Sequence, residues 1–191
     1  MSTIPEQPLV TRTDRDGIAL VELNRPSQRN SLRYESWTEL SDIAAALTAD
    51  TDVRGVVIAG AGGFFSAGGD LKTGPAQGSG PLSPAARVEH AQRVMERLKA
   101  IPVPVIAAVE GAAVGLGWSL ALTADLVVAA DDAFFSAPFV ARAVVPDGGL
   151  AWRLTQQLGR HRAATFLLRG ERLGAEQALQ LGLVNEIAAA G

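Results

Sequence analysis

The stretch "VPVIAAVEGAAVGLGWSLALTADLVVAA", Val103 to Ala130, decides the fold. It opens as a short, continuous apolar run, the pattern of a strand buried on both faces. That strand closes at Gly111. Gly115 and Gly117 then surround the start of an apolar helix, and "DLVVAADDAFFSAP" (Asp125 to Pro138) reads as further strand. The most apolar region runs from Ile101 to Ala124, but Pro102, Pro104, Glu110 and three glycines interrupt it. It therefore reads as buried elements and not as a membrane span.

The same rhythm extends outward in both directions. Upstream, "GIALVELNRP" (Gly17 to Pro26) alternates, is rich in β-formers and ends at Asn-Arg-Pro, which predicts a strand. Ser31 to Ala49 sets Trp37, Leu40, Ile43, Ala44 and Leu47 at helical spacing. "VRGVVIAG" (Val53 to Gly60) predicts another buried strand, followed by the glycine-rich loop "GAGGFFSAGGDLK". Thr73 to Pro84 is rich in Gly, Pro and Ser and is expected to be a mobile loop. Ala85 to Ala100 returns to helical spacing through Val88, Ala91, Val94, Met95 and Leu98. Beyond Leu150 the pattern is helical, with a last strand near "LVNEI". Alternating strands and helices predict an α/β fold with crossovers, in one domain spanning residues 1–191. The chain stops at "NEIAAAG" with no closing amphipathic helix, so either a small domain or a missing C-terminal part is expected.

Composition excludes several classes of function. The 191 residues are 48% hydrophobic and 19% charged, enough apolar material for a core. A net charge of −3 and a pI near 5.4 argue against nucleic acid, whose phosphates call for a basic surface. Without cysteine there is no disulfide, thiolate chemistry or Cys-ligated metal. His90 and His161 stand alone on surface-like helices and form no metal-ligand spacing. The N-terminal stretch carries acidic residues and no apolar core of a signal, so a cytoplasmic protein without membrane attachment is expected.

Two loops carry possible chemistry. In "FFSAGGDLK", Asp70 can cap a helix starting at Leu71, leaving the N–H groups of Gly68 and Gly69 exposed to a ligand oxygen. In "EGAAVGLGWSLAL", the Leu116 N–H lies at the start of a second helix. Two such donors converging on one carbonyl oxygen form an oxyanion hole. The plain alternative is a capped loop and a closely packed, glycine-rich helix. "GWSLA" approaches the G-x-S-x-G nucleophile elbow, with His161 and Asp125 or Asp147 as further triad members, but Ser119 falls inside a helical pattern and not at a sharp turn. In "VVPDGGLAW", Val144 to Trp152, Asp147 stands between Pro146 and two glycines, as a turn residue or as a chemical group.

These residues together resemble the enoyl-CoA hydratase/isomerase (crotonase) family. "LNRPSQRNSL", "FFSAGGDLK", "VEGAAVGLGWSLALTADLVVAA", "APFVARAVVPDGGLAWRL" and "LLRGERLGAEQALQLGLVNEI" match its segments in order, from about Gly17 to Ile187. The resemblance implies a spiral of ββα units, a homo-oligomer built as a trimer or a dimer of trimers, and an acyl-CoA substrate. It implies no cofactor beyond coenzyme A as part of that substrate. The family's C-terminal helices have no counterpart in this sequence.

By resemblance, Gly69 and Leu116 supply the two oxyanion N–H groups, with Gly68, Asp70 and Leu71 beside the substrate. Lys72 and Arg29 become contacts for CoA phosphates, or else solvated surface charges. The family's hydratases have glutamates where Ser119 and Phe139 stand here, and neither residue offers a carboxylate. Single-base isomerases have one acid in a segment like "PDGG", which Asp147 matches. The resemblance therefore implies an enzyme that shifts the double bond of an enoyl-CoA by a 1,3-proton transfer. The alternatives are a hydratase or another crotonase-type reaction, and a non-catalytic acyl-CoA binder.

Overall fold

In the computed structural model, residues 7–71 and 83–191 are described. Nine strands and six α-helices occur among them. The main sheet joins β1 (Val10–Arg15), β2 (Ile18–Leu23), β3 (Gly55–Gly60), β4 (Val105–Val109), β6 (Leu126–Ala130) and β9 (Glu186–Ala188) in the order β1-β2-β3-β4-β6-β9. β1 and β2 are antiparallel, and every other pairing in this sheet is parallel. A smaller sheet joins β5 (Ala112–Val114), β7 (Phe134–Ser136) and β8 (Arg172–Gly174).

Each turn of the spiral runs from a main-sheet strand to a short second-sheet strand and then to a helix. β4 leads to β5 and α3 (Leu116–Ala121). β6 leads to β7 and then to α4 (Leu150–Leu158) and α5 (Arg160–Arg169). β3 leads through an isolated bridge, Ser66 to Ala113, towards α2 (Pro84–Lys99). This is the ββα spiral that the resemblance implied. The stretch "DLVVAADDAFFSAP" is thus two strands in two sheets, because Asp131 and Asp132 turn the chain between them.

The helices follow the apolar spacing closely. α1 (Tyr34–Ala49) buries Trp37, Leu40, Ala44 and Leu47. It begins three residues later than the pattern suggested, because Leu32 is taken up by a bridge to Gly69. α2 buries Ala91, Val94, Met95 and Leu98, while Val88 stays exposed. Ser83 caps α2 by accepting from the Ala86 N–H, and Pro84 is its first residue. These two residues therefore belong to a helix start and not to the loop expected over 73–84, and the rest of that loop lies outside the described residues. α6 (Ala175–Gln180) leads into β9, the edge of the main sheet.

β1 was not anticipated, although Asp16-Gly17 marks it. Both residues have positive φ, 52° and 79°, as a tight hairpin turn between β1 and β2 requires. Trp118 sits at the centre of the core, with Phe135 and Phe166 rings 5.7 and 6.0 Å away. The apolar region Ile101 to Ala124 becomes β4, β5 and α3, all interior. Among the described residues no helix is long and apolar enough to cross a membrane.

Candidate active site

The loop after β3 is held from both sides by backbone bonds. Leu32 donates to the Gly68 carbonyl (2.8 Å) and Asp70 donates to the Leu32 carbonyl (2.9 Å). In such a parallel bridge these two groups flank Gly69, so the Gly69 N–H points away from Leu32. Ser66 and Val114 bond across the same gap: Ser66 N–H donates to Ala112 and Val114 N–H to Ser66, both at 2.9 Å. This draws the Gly68–Gly69 segment onto the β5–α3 turn. The contact is so close that a Cβ at Gly68 would lie 2.4 Å from the Val114 carbonyl oxygen and 3.3 Å from the Leu116 nitrogen. Gly68 also has φ +86°, a conformation that side chains disfavour.

Leu116 is the first residue of α3, where the N–H groups have no intrahelical acceptor. Among the described residues neither the Gly69 nor the Leu116 N–H donates to a protein acceptor. Two free donors thus lie side by side, one on the glycine loop and one at a helix start.

Asn30 holds the scaffold behind them and was not singled out from the sequence. Its φ of +50° turns the chain. Its side chain accepts from the Arg25 N–H (2.8 Å) and donates to the Ala61 carbonyl (2.9 Å). Ser66 Oγ donates to the Asn30 carbonyl (2.8 Å) and accepts from the Gly68 N–H (3.1 Å). The signal that could have found it is an Asn where the chain must turn with positive φ and satisfy buried carbonyls.

Asp70 has a long-range partner that no local pattern indicated. Its carboxylate forms an ion pair with Arg25 at 2.9 Å, and the side chain is only 7% exposed. Leu71 is exposed, and the residues that follow it lie outside the described residues. The Gly69 donor is held in place by the bridge to Leu32. Lys72 lies outside the described residues. Arg29 is exposed beside the Phe64 ring, 5.7 Å from its centroid, and its carbonyl accepts from the Ala67 N–H (2.8 Å) just ahead of the glycine loop.

The segment containing Asp147 packs against α3. A Cβ at Gly148 would lie 2.8 Å from Leu116 Cδ2 and 2.9 Å from both Ser119 Cβ and Met95 Cε. The φ of +59° at Gly148 makes this approach possible. Asp147 is half-buried, and its Oδ1 is shut off from solvent with no hydrogen-bond partner. Burial pushes the carboxyl above its ordinary range, against a smaller opposing effect from its own backbone N–H. The fold therefore brings Asp147, Leu116 and the Gly68–Gly69 loop to one place, although they are far apart in sequence.

Ser119 is fully buried and is the fourth residue of α3, which removes the nucleophile-elbow geometry. Its hydroxyl lies 3.3 Å from the Gly115 carbonyl and 3.2 Å from the Asp147 carbonyl, bonding to backbone in each case. His161 is exposed, and Asp125 accepts from the Val105 N–H (2.8 Å), so neither joins a triad with Ser119. His90 is not freely solvated: it lies 3.2 Å from Thr38 Oγ1 and stacks near Tyr34, with ring centroids 4.6 Å apart. Phe139 is buried, with its ring 3.7 Å from where a Cβ at Gly115 would stand. Ser119→Ala is expected to cost about 1 kcal/mol of stability in denaturant unfolding, the usual worth of a hydrogen bond. A rate loss as deep as that of an Asp147 variant would instead put Ser119 in the chemistry.

Comparison with known proteins agrees with this fold. The family model for Enoyl-CoA hydratase/isomerase matches residues 13–191. The 2,3-dehydroadipyl-CoA hydratase of Escherichia coli (strain K12) is 36% identical over 180 residues, covering 94% of this chain and 68% of that protein. The 1,2-epoxyphenylacetyl-CoA isomerase of the same organism is 36% identical over 173 residues, covering 90% of this chain and 66% of that protein. The crystal structure of an enoyl-CoA hydratase from Polaromonas sp. JS666 superposes with a TM-score of 0.90 at 36% identity, covering 95% of this chain and 71% of that one. The chain spans about two thirds of the length of the curated relatives it matches. With a family match over nearly all of its length and the same spiral fold, the chain belongs to the enoyl-CoA hydratase/isomerase family.

Proposed function

We propose that the protein binds an enoyl-CoA thioester and moves its double bond by a 1,3-proton shift. The carrying observation is Asp147, a half-buried carboxylate with an unpartnered Oδ1, in a segment packed against the helix whose first N–H is free. The thioester oxygen accepts from the Gly69 and Leu116 N–H groups, at about 2.7–3.1 Å in the complex. Asp147 takes the proton from the α-carbon of a 3-enoyl-CoA, and the electron pair spreads into a dienolate whose oxygen the two N–H groups stabilise. The same carboxyl then gives the proton to the γ-carbon, yielding the 2-enoyl-CoA. No net proton is gained or lost, so one group suffices. Its raised pKa makes it a stronger base than an ordinary aspartate.

A second reading, hydration of the double bond, draws on the hydratase names of several relatives. Against it, a hydratase must hold and deprotonate a water as well as protonate carbon. Ser119 and Phe139 supply no carboxylate for that second task. The proposal extends to a homo-oligomer with three-fold symmetry, supported by exposed apolar side chains at Val140, Val144 and Leu168.

Incubation with 3-enoyl- and 2-enoyl-CoA panels in deuterated water tests the reading. Deuterium is expected at both the α- and γ-carbons. Formation of a 3-hydroxyacyl-CoA would favour the hydratase, and thioester binding without exchange would favour a non-catalytic binder. The pH profile carries a further expectation. The base must be ionised, so the rate falls as pH drops through the Asp147 pKa. Because burial raises that pKa, the fall begins above the ordinary aspartate value of about 3.9. A profile flat down to pH 4 would contradict it.

A further inference from the structure

A cavity of about 300 Å³ opens directly beyond the Asp147–Gly148 segment, between α2 and α4. Gly148, Gly149 and Met95 form its inner end, and Trp152, Arg153 and Lys99 line it further out. Gly148 lines this space and also packs against the Leu116 and Ser119 side chains, so the cavity adjoins the segment that carries Asp147. Its volume suits a short acyl tail.

The chemistry of this cavity is unusual for an acyl pocket. Arg153 is partly buried, and among the described residues its guanidinium makes no ion pair or hydrogen bond; its Nε is shut off from solvent with no partner. A partly buried, unpaired guanidinium is costly unless a ligand completes it. Lys99 reaches the same space over the Trp152 ring, 6.0 Å from its centroid. Glu96 is the one carboxylate lining the cavity, and it forms no ion pair with either cation. Two cations against one anion leave the walls with a net positive charge. Gln92 adds an amide donor.

We infer that this cavity receives an anionic oxygen group of the ligand, and that the group is a carboxylate at the far end of the acyl chain, bound by the Arg153 guanidinium with Lys99 as a second cation. The inference rests on the proposed thioester binding, which puts the ligand at the Asp147–Gly148 segment that this cavity adjoins. A planar guanidinium can hold a carboxylate through two parallel N–H donors, a geometry Lys99 alone does not offer. A phosphate of coenzyme A is the other source of the same chemistry, and the two sources predict different responses to chain length and end group.

Calorimetric binding of saturated, unreactive thioesters separates these outcomes without relying on turnover. The probes are hexanoyl-CoA and adipyl-CoA, which have the same chain length and differ by a terminal carboxylate. The 191-residue chain is expected to bind adipyl-CoA about ten- to a hundredfold more tightly, the worth of a hydrogen-bonded ion pair. Arg153→Met should abolish that preference by weakening adipyl-CoA binding to the level of hexanoyl-CoA or below it. Glu96→Gln should strengthen adipyl-CoA binding, and it keeps the test alive if Arg153→Met fails to fold.

Equal binding of the two probes by the unaltered chain overturns the inference while leaving the proposed function standing. Equal loss of both probes in Arg153→Met assigns Arg153 to a CoA phosphate and overturns the acyl-carboxylate assignment. If neither probe binds, the thioester-binding reading itself is overturned.

Discussion

Asp147→Asn is expected to lower isomerisation by about 10²–10⁴-fold, the usual contribution of a general acid–base group. Thioester affinity should stay essentially unchanged, because the oxyanion donors are backbone groups and asparagine keeps the side-chain shape. Deuterium uptake at the α- and γ-carbons should fall together, since one group serves both. The variant should also be more stable than the parent at neutral pH. Burial raises the folded-state pKa of Asp147 above its unfolded value. Between those two values the folded state holds the proton and the unfolded state has lost it, so stability declines as pH rises through that window. At neutral pH the cost is fully present, and the neutral amide removes it. A turn aspartate predicts the opposite pair of results, with rate and stability both hardly altered, since asparagine is also a good turn former. Stopped-time assays with 3-enoyl-CoA and thermal unfolding at pH 7 distinguish the two accounts.

Gly68→Ala tests the other half of the site and should be nearly as damaging. The added methyl would stand 2.4 Å from the Val114 carbonyl oxygen, a backbone atom that cannot rotate away. It would also force a side chain into φ +86°, at a cost of about 1–2 kcal/mol. Relief requires the Gly68–Gly69 segment to lift away from the β5–α3 turn, which separates the Gly69 N–H from the Leu116 N–H. Loss of one oxyanion donor typically costs about 10²–10³-fold in rate. Unlike Asp147→Asn, this variant should lose ground-state affinity as well, because the carbonyl-binding pair is disassembled. Gly69→Ala is the control: among the described residues its methyl would meet only Leu116 Cδ1, at 3.4 Å, so the loop can stay in place. A Gly68→Ala variant with the parent's rate would remove the oxyanion assignment.

The sequence alone determined the parts of this protein that depend on local patterning. β3 and β4 read as continuous apolar runs because a parallel sheet covered on both faces excludes water from both sides of each strand. α1 and α2 read from their spacing because each buries one stripe in the core and exposes the rest. The lack of a carboxylate at positions 119 and 139 and its presence at 147 were equally plain.

Tertiary structure alone decided what depends on partners distant in the chain. β5 and β8 have three residues each, too short for any period, and exist because β7 lies between them. α3 has six residues, too few to be stable in isolation, and its last five are buried by their surroundings. Asp70 found Arg25 across 45 residues of sequence. The isolation of Asp147 Oδ1 and of the Arg153 guanidinium is likewise a property of the packed molecule. Whether a charged group is paired or stranded depends on which side chains the spiral brings within hydrogen-bond reach, and no local pattern encodes that.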